Sequence, residues 1–406
     1  MGSRWATQAP GEVFQLECVI ERNTKIDVLR GMAVLGVLLI HTQNAWYLGA
    51  GNELVEQGRR LRLRETWPGL FSTPVTFGFL GLNLFFILSG LCIHLWTLKR
   101  HTVPLRNGFP YLDFMKRRFR RLYPVYAAAI AFSLVCLGTA EWIRLNYLGQ
   151  QEISTLAKQV VRQTLQYLSF THTLTRETFS GYNPPLYTMA IEMHFYLLYP
   201  LVLWGFRYLG TKKTFGVSIV ISLFSTAIGL RSSEIGGDRL IMDSVLVRWP
   251  EWILGCLIAE QWWQAGSVKG WGIPSWKLAM GSGVCLLSGL FIQLWYRIQL
   301  NVLWSAGLVG VIIYYLGRPQ QRLGLLERFL CHIGLISYSI YLVHYPLLRF
   351  GALLLPPDPE LLLIHLPVYC LLVLGILAVG YVFFKYFERP TLGSGAQLKA
   401  SSLSLP

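Results

Sequence analysis

The chain has 406 residues and a formal net charge of +15, with 53% hydrophobic residues, 14% charged residues and a mean hydropathy of +0.44. Soluble domains carry roughly 25% charged residues, so the composition excludes an ordinary soluble enzyme and predicts an all-α polytopic integral membrane protein. Its basic residues fall in short runs between apolar segments, which fits membrane orientation and argues for no nucleic-acid partner.

Residues 1–24 hold no apolar stretch and read as a cytoplasmic N-terminal segment without a cleavable signal. An apolar run of about 20 residues crosses the hydrocarbon core. That rule places helices near 26–45, 77–97, 122–139, 186–206, 214–230, 245–263, 277–295, 300–317, 331–353 and 363–385. With the N-terminus inside, 22 Lys and Arg lie in or beside the cytoplasmic segments and 13 in or beside the outer ones. That bias favours about ten transmembrane helices with both termini cytoplasmic. The expected division is the segment 1–24, a transmembrane domain over 25–390 and a short cytoplasmic tail, 391–406. The outer loops 46–76 and 140–185 are the longest connections, where a water-soluble acceptor would meet the protein. The seven cysteines have no paired spacing resembling a disulfide frame or a zinc site, and no metal is expected.

The first segment, "DVLRGMAVLGVLLIHTQNAW", carries Arg30 near its cytoplasmic edge and His41 toward the outer side. Eleven helical residues advance about 16 Å over about three turns, so both lie on one face. A neutral imidazole can take a proton from a hydroxyl; the alternative is a buried histidine hydrogen-bonded to a neighbour. Glu192, in "LYTMAIEMHFYLLYP", and His344, in "ISYSIYLVHYPLL", fall in the outer half of their own helices. A carboxylate there needs a partner. It could orient an imidazole, as the acid of a triad does, or form a structural hydrogen bond between helices. His194 points about 200° away from Glu192. Ser89 in "NLFFILSG" suits pocket lining, whereas Gly81 and Gly90 suit close helix packing. The run "KRRFRRLYPVY" sets Arg117, Arg118, Arg120 and Arg121 just before the third helix. It serves equally as a topology signal or as an anion site, since guanidinium groups bind phosphates in fork geometry.

Taken in order, "LRGMAVLGVLLIH", "NLFFILSG", "RRFRRLYPVY", "LYTMAIEMHFYLLYP", "ISYSIYLVHYPLL" and "FERP" resemble the signature of the membrane-bound acyltransferase 3 family across residues 24–391. The resemblance implies ten core helices and transfer of an acyl group, often acetyl, from acetyl-CoA or another acyl-CoA. The acceptors it implies are surface polysaccharides, lipid-linked sugars, peptidoglycan or secondary metabolites. It also implies His41 as catalytic base with Glu192 as the acid, and Arg30 with the arginine stretch as the donor site, Ser89 lining it. Tyr187 stands where the family has Trp, and Leu91-Cys92 follow the serine-glycine motif in place of a more aromatic pair. Both departures bear on the shape of the acceptor pocket, to which Tyr187, Tyr341 and His344 are assigned.

The expected function is acyl transfer, with acetyl as the expected group, from a cytoplasmic acyl-CoA to a hydroxyl of an envelope or lipid-linked saccharide, in the cytoplasmic membrane of the cell. Membrane lipids are the surrounding partner, and a homo-oligomer is left open. A membrane transporter or flippase of lipid-linked or polar solutes is the alternative, although no repeated half or pair of Gly/Pro-broken helices supports it.

Overall fold

The computed structural model describes residues 23–48, 77–100, 109–147, 154–179, 181–232, 238–266, 275–296, 298–319, 322–354 and 362–392. Residues 1–22 of the N-terminal segment, most of the 46–76 loop and the tail beyond 392 lie outside the described residues. The described residues are helical throughout, without a strand: α1 (Thr24–Leu48), α2 (Leu80–Arg100), α3 (Tyr111–Tyr147), α4 (Ser154–Leu168), α5 (Tyr187–Tyr208), α6 (Thr211–Gly229), α7 (Val245–Ala265), α8 (Ser275–Tyr296), α9 (Asn301–Leu316), α10 (Leu325–Leu335), α11 (Ser337–Leu354) and α12 (Leu362–Phe383).

Each expected apolar segment overlaps one of these helices, with two differences of physical interest. The third begins at Tyr111, not near residue 122, and its 37 residues make it about 55 Å long. Its first turns carry Asp113 and the basic run. Such residues extend a helix through the headgroup layer, beyond the hydrocarbon core that an apolar-run rule detects. The ninth is a bent pair, α10 and α11, meeting at 76°. The 140–185 connection also contains α4, which exposes Val161 and Leu165 and buries Gln163 and Tyr167.

Six helices among the described residues are long and apolar enough to cross a membrane, or seven if the bent pair is one span. Helix α9 is apolar but 16 residues long, and α7 is diluted by Arg248, Glu251 and Glu260. Lipid contact is legible on α8, where Trp276, Met280, Val284, Leu287, Phe291 and Trp295 are all more than half exposed along the helix.

The chain divides into two compact units: residues 1–31, 83–111 and 197–334 form the first, and residues 32–82, 112–196 and 335–406 the second. In the first, α8 packs on α9, α6 on α7 and α7 on α9. In the second, α11 packs on α12.

Between apolar helices in lipid, association depends on close packing more than on expulsion of water. Gly90 and Gly255 show this within the first unit. A Cβ at Gly90 would lie 2.0 Å from the Trp252 carbonyl oxygen, and one at Gly255 would lie 2.0 Å from that of Ile87. Backbone meets backbone on both sides, so neither clash can be relieved by a side-chain rotation. Gly81 is similarly tight within the second unit, 2.2 Å from the Ala33 carbonyl oxygen. Gly90→Ala and Gly255→Ala should each destabilise the purified protein by about 1–3 kcal/mol through overpacking. Gly216→Ala, where a Cβ meets nothing within 4 Å, should leave the detergent melting midpoint unchanged or slightly raised.

Candidate active site

His41 and His344 come together in the second unit. Their ring centroids are 5.2 Å apart, and Tyr345 meets His41 edge-on at 5.7 Å. His344 Nδ1 lies 2.5 Å from the Tyr341 carbonyl oxygen. A carbonyl can only accept, so Nδ1 carries a proton, and in the neutral ring Nε2 keeps its lone pair. That Nε2 atom is buried without a hydrogen-bond partner among the described residues. His41 is half-buried, whereas His344 is 1% exposed.

The segment beneath His344 is fixed by the start of α5. Thr188 Oγ1 donates to Tyr341 Oη over 2.8 Å, and Tyr341 Oη donates to the Pro185 carbonyl over 3.0 Å. Tyr341 is therefore a strut between α11 and the turn before α5. Tyr187 packs its ring against Phe179 at 5.2 Å.

Glu192 accepts a hydrogen bond from Tyr196 Oη, one turn further along α5. Tyr196 lies in the electrostatic reach of Arg118 and Arg121. Its ring touches Phe114 at 6.0 Å, and the Arg118 guanidinium sits 5.5 Å from the Phe114 centroid. The helix thus divides the arginine stretch: Arg118 and Arg121, three residues apart, share the Tyr196 side, while Arg120 and Arg121 are exposed and Arg117 and Arg118 half-buried.

The first unit holds Arg30 and Ser89. The Arg30 guanidinium contacts Cys92 Sγ at 3.5 Å and Asp27 Oδ1 at 3.7 Å. Ser89 lies one turn before Cys92 and accepts from Trp252 Nε1 at 3.3 Å. Cys92 thus marks where Arg30 meets α2, a role invisible in sequence. Two further buried ionic groups of this unit have no motif in the sequence. Arg248 pairs with Glu251 at 2.9 Å, with both side chains at most 2% exposed. His94 lies between Tyr199 Oη at 2.8 Å and Glu260 Oε1 at 2.9 Å. The only available signal was the charges themselves, within the apolar segments 77–97 and 245–263. Among the described residues, no three His, Cys, Asp or Glu side chains are grouped to hold a metal.

Outside the spans, His172 follows α4 and packs on Tyr167 at a centroid distance of 4.3 Å, with no exposed surface. Burial pushes its pKa from 6.5 down to about 4. The folded protein holds the ring neutral where the unfolded chain would protonate. The resulting stability is complete above about pH 6.5 and is lost as pH falls toward about 4. The melting midpoint should therefore drop between pH 7 and pH 5, and His172→Phe should reduce that drop.

Comparison with known proteins adds an independent finding. Residues 23–385 match the family described as "Acyltransferase domain". The chain is 23% identical over 345 residues to "O-acetyltransferase OatA" of Staphylococcus aureus (strain NCTC 8325 / PS 47), covering 80% of this chain and 50% of that protein. It is 26% identical over 396 residues to "Putative peptidoglycan O-acetyltransferase YrhL" of Bacillus subtilis (strain 168), covering 91% and 55%. The chain thus spans about half the length of these relatives. No solved structure matches.

Proposed function

We propose, from the premise that this chain belongs to the acyltransferase 3 family, that it is a multi-pass membrane O-acetyltransferase using a cytoplasmic acyl-CoA and a saccharide hydroxyl. The observation that carries this reading is the His41–His344 pair, in which one ring has a fixed tautomer and a bare, buried nitrogen. The names of the relatives support acetyl as the acyl group and, for one of them, peptidoglycan as the acceptor; the acceptor proposed for this chain is an envelope saccharide, free or lipid-linked.

In the proposed step, His41 takes the proton of the acceptor hydroxyl as its oxygen attacks the thioester carbonyl. The new C–O bond forms, the C–S bond breaks, and the imidazolium returns its proton to the departing thiolate. The products are an O-acyl ester and the coenzyme A thiol. His344 Nε2 accepts a hydrogen bond from a neighbouring hydroxyl of the same saccharide and so orients the one that reacts. Tyr341 and Tyr187 shape the wall behind it.

Arg117, Arg118, Arg120 and Arg121 serve the donor phosphates, with Arg118 and Arg121 in the electrostatic reach of Tyr196, and Arg30 is the donor-side cation of the first unit. Ser89 lines the donor side beside Cys92. Glu192 acts as the acid of the site, and its bond to Tyr196 ties its charge to that of the arginines. One continuous helix carries both Arg30 and His41, which suits a donor whose phosphates and thioester are separated by a long arm. The arrangement is a ten-helix domain with both termini cytoplasmic, in the cytoplasmic membrane.

Proteoliposomes supplied with labelled acetyl-CoA and an oligosaccharide acceptor should form a base-labile ester. His41→Ala should lower that rate by about 10²–10⁴-fold, the range for loss of a general base. Arg118→Ala should mainly raise the KM for acetyl-CoA. Full activity in His41→Ala would refute the assignment, and transport of unmodified saccharide without thioester consumption would favour a carrier.

A further inference from the structure

The "FERP" segment, residues 387–390, follows α12 and has no part in the transfer step described above. Over Phe384–Glu388 the backbone leaves the α-helix for a π-turn, a rare geometry that recurs at functional sites. Glu388 ends that turn and is buried. A carboxylate out of water needs a donor, and Ser339 of α11 supplies one. Its hydroxyl donates to Glu388 Oε2 at 2.6 Å, and the serine has no exposed surface.

Ser339 is the third residue of α11 and follows the 76° break from α10. A helix start presents backbone N–H groups and a partial positive charge, so a carboxylate that reaches its first turn is stabilised there. The same turn is tied to α3. Tyr338 Oη donates to the Leu122 carbonyl at 3.0 Å, and Thr391 Oγ1, three residues beyond Glu388, lies 3.2 Å from the Arg121 carbonyl. Tyr338 is also in the electrostatic reach of Glu192, Glu388 and Tyr196. All these residues belong to the second unit. The end of α12, the start of α11 and the arginine turn of α3 therefore meet in one hydrogen-bonded junction.

This junction bears on the histidine pair because α11 carries His344. A helix that follows a sharp break can slide or rotate unless its first turns are anchored. Tyr341 anchors α11 toward the start of α5. Ser339, two residues earlier, points about 200° away round the helix and anchors it toward α12. Opposed anchors fix rotation, which a single one leaves free. His344 is five residues beyond Ser339, about 7.5 Å along the axis, so the rotation set at the first turn is passed to its ring.

We propose that Glu388 is a positioning residue for the acyl transfer: through Ser339 it sets the rotation of α11, and with it the His344 ring, relative to the arginine turn of α3 that serves the donor. This assignment rests on the acyl-transfer reading above. Glu388 acts on the helix that carries the site and not on the reacting atoms.

The test uses the full chain in proteoliposomes with labelled acetyl-CoA and an oligosaccharide acceptor, together with nitrogen NMR of histidine-labelled protein. Ser339→Ala removes the donor and keeps the carboxylate. It should lower kcat per folded protein about tenfold or more, as a displaced reacting group does, while the KM for acetyl-CoA stays within about twofold because the arginines remain. The His344 resonances should move in the same variant. Glu388→Gln, which keeps an acceptor for the serine, should retain more of kcat than Glu388→Ala; if Glu388→Ala fails to fold, Ser339→Ala decides. An unchanged kcat in Ser339→Ala would overturn the proposal, as would a lower kcat with the His344 resonances unmoved, or a loss confined to the KM for acetyl-CoA. Each of these results leaves the acyl-transfer reading intact. No thioester consumption by the wild type would overturn both.

Discussion

His344 donates its Nδ1–H to the Tyr341 carbonyl three residues back on the same helix, and that bond decides which nitrogen of the ring is left to accept. The remaining nitrogen is buried, in a ring whose centroid lies 5.2 Å from that of His41. A buried acceptor without a donor is costly, and a saccharide hydroxyl adjacent to the one His41 deprotonates would relieve that cost. Affinity for the saccharide and the orientation of its reacting hydroxyl would then arise from the same atom. The Thr188–Tyr341–Pro185 chain keeps this part of α11 in register with the start of α5, so the bare nitrogen has a fixed position.

The same economy applies to the other ionisable groups in apolar surroundings. Glu192 is bonded to Tyr196, Arg248 to Glu251, and His94 to both Tyr199 and Glu260. Removing one member of such a buried pair typically costs about 3–5 kcal/mol, because the other charge is left behind. Loss of activity in an Arg248 or Glu260 variant would therefore report stability before chemistry. The His41 site differs in that its open nitrogen belongs to a neutral ring, which leaves room for a ligand without stranding a charge.

Much of this was legible in the sequence because lipid imposes a strong rule: apolar runs of spanning length located the helices. His41, Glu192 and His344 stood out because ionisable groups are rare in such runs. The pairing of His41 with His344 was not legible, since the two rings lie on helices from opposite ends of the chain and no local pattern records their meeting. Nor was the link from Glu192 through Tyr196 to Arg118, which depends on α3 starting at Tyr111 and carrying its arginines on helical faces. The tight backbone contact between Gly90 and Gly255 was half legible: small residues advertise close packing, but only coordinates reveal the partner.

The central claim concerns the protonation pattern of two rings, and nitrogen NMR of histidine-labelled protein in lipid reads it directly, with His41→Gln and His344→Gln variants assigning the signals. At pH 7 the account predicts a neutral His344 with its proton on Nδ1, and a saccharide acceptor should perturb the Nε2 resonance. A His344 signal protonated on Nε2, or an Nε2 resonance indifferent to every acceptor that supports acetyl transfer, would contradict it.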